Sequence, residues 1–319
     1  MNRLKEILAY SGLLLVLVFI LKSIEVGKLI NQLLSVSLKW ILVAIGITFT
    51  QPFLNALRIK TYLEAAGYAK TYIRCLQAVL ATLSLNAVLP AKGGDLVKVV
   101  FLEEDSKNHS SLLGITIMER AIDVLILCVF SMVGSIYIGN TTLLGMALVV
   151  ILIPITMLIS LGRADKFPII GMKLQRLAQA SQKAWLSPKQ MISGIMVAVA
   201  CWSTNIFLMF CLLRSAGAQI EVLHVASTTP LAIFVGLLPI SISGMGTRDA
   251  AFVHLLSFPK PEVIYAATFL YTAFAYWLLA LVGLIFLGKQ TLSLTMSKIG
   301  KSEKSRLEAN KPQATGSRS

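Results

Sequence analysis

The chain has 319 residues, of which 56% are hydrophobic and 14% charged, and its mean hydropathy is +0.78. A soluble domain carries about 45–50% apolar and about 25% charged residues, so this composition excludes an ordinary soluble protein. The formal net charge is +14. The basic residues fall in short segments between apolar runs, as in cytoplasmic loops, and do not indicate a nucleic-acid partner. We therefore expect an all-α integral membrane protein.

Six apolar stretches approach the roughly 20 residues that a helix needs to cross the hydrocarbon of a bilayer. They are Ile7–Leu21, Ile41–Leu57, Leu112–Ile138, Leu143–Leu161, Met191–Leu213 and Val263–Leu287. The first has the outline of a signal peptide, but Lys22 follows it directly and no small-residue cleavage site is present. We expect it to remain as a transmembrane helix.

The basic residues predict the orientation of these helices. They cluster at Arg3 and Lys5, at Arg58, Lys60, Lys70 and Arg74, between Arg163 and Lys189, and from Lys289 to Arg318. The positive-inside rule places all of these segments in the cytoplasm, with both termini. Lys22, Lys28 and Lys39 oppose this orientation but are outnumbered. We expect a multi-pass protein of the cell membrane, specifically the inner or plasma membrane of a bacterium.

Two further apolar segments are interrupted. Cys75–Leu102 breaks at Pro90–Asp95, and Ala226–Leu256 breaks at Ser241–Asp249. Each half is short for a full crossing, which favours two re-entrant helical hairpins that enter from opposite faces. Such a pair is typical of transporters with inverted repeats. The alternative is two pairs of short, tilted spans with ordinary loops.

The predicted fold is therefore about six full transmembrane helices plus two opposed hairpins. Residues 1–288 form the membrane domain, and residues 289–319 form a basic, disordered cytoplasmic tail. Met172–Trp185 has a helical period with a weakly apolar face, which predicts either a helix lying on an anionic leaflet or a solvated linker helix. Four cysteines and three histidines show no metal-binding spacing, so we expect no metal and no cofactor.

Three groups of charged residues lie within or beside apolar helices. They are Lys92, Asp95 and Lys98; Glu119, Arg120 and Asp123; and Arg248 and Asp249. Each such charge costs about 2.5–3.5 kcal/mol at the middle of a membrane helix, so partners are required. Glu119 and Asp123 share a helix face at i,i+4. The alternative to a functional role for the Glu119 group is a buried ion cluster that fixes helix packing.

Glycines stand at both breaks, at Gly93 and Gly94 and at Gly244 and Gly246. Glycine lets backbone N–H groups converge, and a helix start adds a positive dipole end, so either break suits a phosphate. Asp95 and Asp249 would cap helices or pair with the basic residues. Further hydrogen bonds would come from Asn86, Ser241 and Ser243. The alternative is that the glycines only permit a tight turn.

Three motifs in this order resemble the flippase-like family, also called the lysylphosphatidylglycerol synthase transmembrane region. They are the segment from Asn86 to Lys98, the segment from Met118 to Asp123, and the segment from Pro239 to Asp249. The resemblance covers about Leu13 to Leu287. It implies translocation of a lipid with an anionic head group. The family usually has Glu at Asp95 and Asp249, often Arg at Lys98, and often a basic residue at Thr272, which follows Tyr271.

We expect a non-enzymatic transporter that moves an anionic phospholipid or a polyprenyl-phosphate lipid between leaflets. The residues expected to bind the head group are Lys92, Gly93, Gly94, Lys98, Arg120, Ser243, Gly244, Gly246 and Arg248. The residues expected to set charge or take up protons are Asp95, Glu119, Asp123 and Asp249. One alternative is a lipid-phosphate phosphatase that uses Ser243, Arg248 and Glu119. Another is an accessory subunit for lipid-modifying enzymes or glycosyltransferases. The sequence leaves open whether two copies of the chain form a homodimer.

Overall fold

The computed structural model describes residues 26–88, 94–103, 109–162, 172–237, 244–256 and 258–288. These residues are helical, with turns between helices and no strand among them. Five helices are long and apolar enough to cross a membrane: Leu38–Ala65, His109–Ile138, Thr141–Leu161, Pro188–Ser215 and Pro261–Gly288. They match five of the six predicted spans and confirm an all-α integral membrane protein. The predicted first span, Ile7–Leu21, lies outside the described residues.

The helices are numbered here in chain order. They are α1 (Val26–Leu34), α2 (Leu38–Ala65), α3 (Tyr72–Val88), α4 (Gly94–Leu102), α5 (His109–Ile138), α6 (Thr141–Val150), α7 (Leu152–Gly162), α8 (Met172–Trp185), α9 (Pro188–Ser215), α10 (Val222–Gly236), α11 (Thr247–Leu255) and α12 (Pro261–Thr272). Helix α12 continues through a π-helical turn at Ala273–Leu278 as far as Gly288. Turns of this kind are frequent at functional sites.

Helices α3 and α4 pack against each other, as do α10 and α11. They contain 17 and 9 residues in the first pair, and 15 and 9 in the second. At about 1.5 Å per residue, none reaches the roughly 30 Å of a bilayer core. The two interrupted segments therefore form helical hairpins at the predicted positions.

The two halves of the chain repeat the same order of elements. A 28-residue helix is followed by a hairpin and then by a second long helix, first in α2 to α5 and again in α9 to α12. Each helix of the second set begins about 150 residues after its counterpart. Gly67 and Gly217, which follow α2 and α9, both have φ near +85°. This left-handed backbone favours glycine and ends both helices in the same way.

Helices α2 and α9 run antiparallel. The start of α2 meets the end of α9, where Ser37 N donates to Ser215 O at 2.8 Å. Their centres meet where Gln51 Nε2 donates to Thr204 Oγ1 at 2.8 Å. Gly194, near the start of α9, lies against the ring of Tyr62 near the end of α2. Since these helices begin equivalent halves, the halves have opposite orientations, as predicted for an inverted repeat.

Each half braces the hairpin of the other half. On one side, Ser131 Oγ in α5 donates to Ser227 O in α10 at 2.7 Å, and Gly134 lies against the same turn. On the other side, Ser84 Oγ in α3 donates to Ala280 O at 2.8 Å, and Gly283 lies against the backbone of α3. Small residues let helix backbones approach this closely in membrane proteins.

Helix α8 has the predicted bounds, Met172–Trp185. Its residues Ala178, Ser181 and Ala184 are buried, and Ser181 Oγ donates to Gly114 O of α5 at 3.0 Å. These three residues belong to the face that we expected to contact either lipid or solvent. That part of the face instead packs on the helical bundle.

Candidate functional site

The three charged residues of α5 form the centre of a buried ion cluster. Glu119 and Asp123 are both fully or nearly fully buried and share one face of the helix, as their spacing predicts. Arg58, from α2, joins them: its Nη2 lies 2.6 Å from Glu119 Oε1, and its Nη1 lies 2.7 Å from Asp123 Oδ1. Trp202 Nε1 of α9 donates to Asp123 Oδ1 at 2.9 Å. The cluster thus ties α5 to both helices of the central antiparallel pair.

The first hairpin supplies the rest of the cluster. Lys98 Nζ of α4 lies 3.1 Å from Glu119 Oε2. Arg120 Nη1 lies 3.0 Å from Asp95 Oδ2, and its Nη2 lies 3.2 Å from Glu119 Oε1 and 3.4 Å from Asp123 Oδ2. The structure therefore brings together five of the predicted site residues, Asp95, Lys98, Glu119, Arg120 and Asp123.

Three cations and three carboxylates balance in this cluster, which is formally neutral. Neutrality matters because an uncompensated charge inside a membrane helix is costly. Each carboxylate contacts at least one cation, and in the described parts of the chain no group of three or more His, Cys, Asp or Glu side chains has an arrangement that could hold a metal ion.

Arg58 corrects one part of the sequence analysis, which counted it with Lys60 among the cytoplasmic basic residues. It is only 3% exposed and is paired with two carboxylates. Helix α2 extends to Ala65, well beyond the predicted end at Leu57, and this extension carries Arg58 into the bundle. The carboxylates of Glu119 and Asp123 lie on the same side of α5, and two buried carboxylates require more positive charge than Arg120 alone provides. This charge imbalance in the sequence could have predicted a further buried cation.

The second hairpin holds its charges separately. Arg248 of α11 is 2% exposed, and its Nη2 lies 2.9 Å from Asp249 Oδ1 and 2.6 Å from Thr272 Oγ1. The guanidinium carbon also lies 4.7 Å from the centre of the Tyr271 ring and 5.8 Å from that of Tyr276. Arginine over tyrosine faces is a favourable cation–π arrangement.

At the turn of this hairpin, the start of α11 already has a carboxylate. Gly246 N donates to Asp249 Oδ2 at 3.0 Å, so Asp249 both caps the helix and pairs with Arg248. Gly244 and Gly246 have φ values of +75° and +84°, which other residues rarely adopt. The backbone N–H of Gly246 that we expected to face a phosphate is occupied by Asp249.

In the first hairpin the glycine has a different task. A Cβ atom on Gly94 would lie 2.6 Å from Asn86 Oδ1 and 2.7 Å from Asn86 N, so the chain closes only with glycine. Asn86 Nδ2 in turn donates to Asp95 Oδ1 at 3.0 Å. The predicted residues Lys92, Gly93, Ser241 and Ser243 lie outside the described residues.

A cavity of about 110 Å³ lies beside the ion cluster. Its polar and aromatic lining comprises Gln51, Asn55, Arg58, Thr82, Asn86, Asp95, Lys98, Arg120, Trp202, Asn205, Tyr271 and Tyr276. Arg120 keeps 30% of its side chain exposed, whereas Arg58 keeps 4% and Lys98 3%. Arg120 is therefore the most accessible of the three cations of the cluster.

The lining comes from the first hairpin, from α2, α5 and α9, and from the last helix. Among the described residues, those of α10 and α11 do not line the cavity. Arg248 lies against Tyr271 and Tyr276, which do line it. The rings of Tyr271 and Tyr276 thus lie between the ion cluster and the Arg248–Asp249 pair. Sequence reasoning missed Trp202, Asn205 and Tyr276, which lie in apolar runs without a local motif.

Comparison with known proteins bears on this arrangement. The family model described as the lysylphosphatidylglycerol synthase transmembrane region matches residues 7–283. The chain belongs to this family. It is also similar to the UPF0104 membrane protein PH1989 of Pyrococcus horikoshii, with 21% identity over 92% of this chain and 99% of that protein. The resemblance seen in the motifs is confirmed.

The three lysylphosphatidylglycerol synthase transmembrane-region motifs lie at two places in the structure. The first two motifs meet in the ion cluster, through Asp95 and Lys98 on one side and Glu119 to Asp123 on the other. The third motif forms the Arg248–Asp249 pair. Thr272, where the resemblance of the motifs predicts a basic residue, accepts a hydrogen bond from Arg248. A second cation at that point would face Arg248 at close range, so here the hydroxyl suits its partner.

Proposed function

We propose that the protein moves a lipid with a phosphate-bearing head group between the leaflets of the cell membrane, with no enzymatic step. The observation that carries the proposal is the polar cavity beside a neutral ion cluster, with the Arg120 side chain 30% exposed. A guanidinium has five N–H donors, and those of Arg120 contact three carboxylates, so donors remain for a phosphate oxygen.

The inverted arrangement of the two halves supports transport. Transporters built in this way place the substrate site at the interface of the halves, beside broken helices. Here the cavity lies along the α2–α9 pair and beside the first hairpin. The phosphatase alternative gains no support, because Glu119 is held by Arg58 and Lys98 and is not available as a base.

The test is a leaflet-translocation assay in proteoliposomes with a fluorescent anionic phospholipid. Arg120→Gln should lower the rate about tenfold or more, but it also leaves the cluster with one excess negative charge. Asp95→Asn combined with Arg120→Gln restores neutrality without restoring the cation at the cavity. Translocation should stay low in this double variant.

Lys60→Gln is the matched control, because Lys60 pairs with Glu64 on the outer side of α2 and should leave the rate unchanged. Recovery of the rate in the double variant would contradict the role of Arg120 in binding. Wild-type rates in every variant, with a stable co-purifying enzyme, would instead support an accessory subunit.

A further inference from the structure

One wall of the cavity is made of side-chain amides. Gln51 and Asn55 of α2 and Asn205 of α9 line it together, and we call these three residues the amide wall. They carry no formal charge and lie outside the ion cluster. A side-chain amide has an oxygen that accepts and an NH₂ group that donates hydrogen bonds. The atoms that make no hydrogen bond within the protein therefore indicate which groups a ligand needs.

One of the two N–H donors of each of Gln51 and Asn55 is used by the protein. Asn55 Nδ2 donates to the backbone oxygen of Gln51 at 2.8 Å. Gln51 Nε2 donates to Thr204 Oγ1, and the Thr204 hydroxyl is itself the donor to Ala200 O and Cys201 O. Thr204 can therefore only accept from Gln51, which fixes the orientation of that amide. Within the described residues, the side-chain oxygens of Gln51 and Asn55 accept no hydrogen bond.

Asn205 has the opposite arrangement. Its Oδ1 accepts from the Tyr271 hydroxyl at 3.0 Å, which leaves its NH₂ group as a donor. The amide wall thus offers two carbonyl oxygens, the whole NH₂ group of Asn205, and one remaining N–H on each of Gln51 and Asn55. Phosphate oxygens only accept and would leave the two carbonyl oxygens unpaired. An ammonium group only donates and would leave the NH₂ group unpaired. A hydroxyl both donates and accepts.

The cavity admits a small polar group beside Arg120. Its volume of about 110 Å³ corresponds to roughly four water molecules at about 30 Å³ each. The neutral cluster also provides no net charge to select a highly charged anion. We propose that the amide wall binds a hydroxyl-rich head group, a sugar or polyol, attached to the phosphate. This proposal rests on the proposed lipid transport and names the class of its substrate.

The experiment is native mass spectrometry of the full chain in mixed micelles with equimolar competing lipids of identical acyl chains. Phosphatidylinositol and phosphatidylmethanol carry the same phosphodiester charge, but only the first has ring hydroxyls. Phosphatidylethanolamine supplies an ammonium group. The wild type should prefer phosphatidylinositol over phosphatidylmethanol by about three- to tenfold for each hydrogen bond gained.

Variants of the amide wall separate recognition from packing. Asn55→Leu should bring this preference towards one and leave phosphatidylmethanol binding unchanged. Gln51→Met should do the same, but it also removes the bond between α2 and α9. Thr204→Val removes the same bond but keeps the Gln51 amide, which can still present its oxygen to the cavity, so the preference should fall less than in Gln51→Met. Thr50→Ala, on the exposed side of α2, is the matched control.

Each outcome has a distinct meaning. Equal binding of phosphatidylinositol and phosphatidylmethanol by the wild type would overturn the hydroxyl-rich head group and leave phosphate-lipid transport standing. A preference for phosphatidylethanolamine would overturn it in favour of an ammonium group. Failure to bind any phosphate-bearing lipid, together with absent translocation, would overturn the proposed function itself.

Discussion

The two halves of the molecule make the same contact with different chemistry. Asp95 is the second residue of α4 and Arg248 the second residue of α11. Each reaches the same position of the long helix that follows: Asp95 pairs with Arg120, and Arg248 bonds to Thr272. In the first half this contact belongs to a six-residue ion cluster. In the second half it involves one ion pair, a hydroxyl and two tyrosine rings.

This difference indicates that the backbone arrangement of the two halves does not determine where their charged residues lie. The hairpin-to-helix contact recurs because both halves fold alike. The charges do not recur: Leu208 occupies in α9 the position that Arg58 has in α2, and Tyr271 occupies in α12 the position of Glu119 in α5. Only the first half therefore has a buried arginine in its first long helix, and among the described residues only that half presents an accessible cation to the cavity.

The largest expected effect comes from removing the cation that the second half lacks. Arg58→Gln leaves Glu119 and Asp123 short of positive charge inside the bundle. Breaking a buried ion pair costs about 3–5 kcal/mol, and Arg58 makes two such pairs, so the variant should unfold or lose at least that much stability. Denaturant titration in micelles measures the loss.

Arg248→Gln should destabilise the protein less than Arg58→Gln does, and the same titration measures both. Arg248→Gln strands a single carboxylate, Asp249, which still caps α11, so its cost should lie at or below about 3 kcal/mol. Lys60→Gln, whose pair is at the surface, should cost little. If Arg248→Gln proved more damaging than Arg58→Gln, the assignment of the main ion cluster to the first half would be wrong.

An intermediate and equal effect is expected where the halves pack alike. A Cβ atom on Gly134 would lie 2.6 Å from Ser227 N, and one on Gly283 would lie 2.6 Å from Leu80 O. Gly134→Ala and Gly283→Ala should each cost about 1–3 kcal/mol of folding stability. Gly46→Ala meets no atom within 4 Å and should be neutral or slightly stabilising. Thermal unfolding of the three variants decides whether the two crossings are equivalent.

The smallest effect concerns the hydroxyl that replaces an arginine in the second half. Thr272→Val keeps the side-chain shape and removes the bond from Arg248, which should cost about 1 kcal/mol. Thr156→Val is the control, because that hydroxyl bonds only within its own exposed turn. A loss of several kcal/mol at Thr272 would show that the second cluster depends on this contact as strongly as the first depends on its ion pairs.

Much of the fold could be predicted from local patterns. Long apolar runs predict spans whatever their neighbours, and glycine-rich breaks between short runs predict hairpins. The pairing of Glu119 with Asp123 on one face follows from helical spacing alone. Each of these features depends on residues that are close together in the sequence.

The organisation of the site could not be predicted in this way. Arg58 stands at the end of an apolar run and resembles a loop residue until α5 supplies its partners. Arg248 has the residue type expected of a phosphate ligand, but Asp249, Tyr271 and Tyr276 already surround it. Gln51 and Asn205 become neighbours of one cavity only because α2 and α9 are antiparallel. These features depend on tertiary contacts.

Asn55 and Asn205 occupy the same position in α2 and α9, and both line the cavity. A ligand there rests on the pseudo-twofold relation between the halves. If the two halves exchanged conformations, Asn55 and Asn205 would still line the cavity, but Thr272 would take the place of Arg120 there. The ligand would then keep its amide contacts and lose its contact with the cation. With such an exchange, the protein would bind an anionic group more tightly in one conformation than in the other.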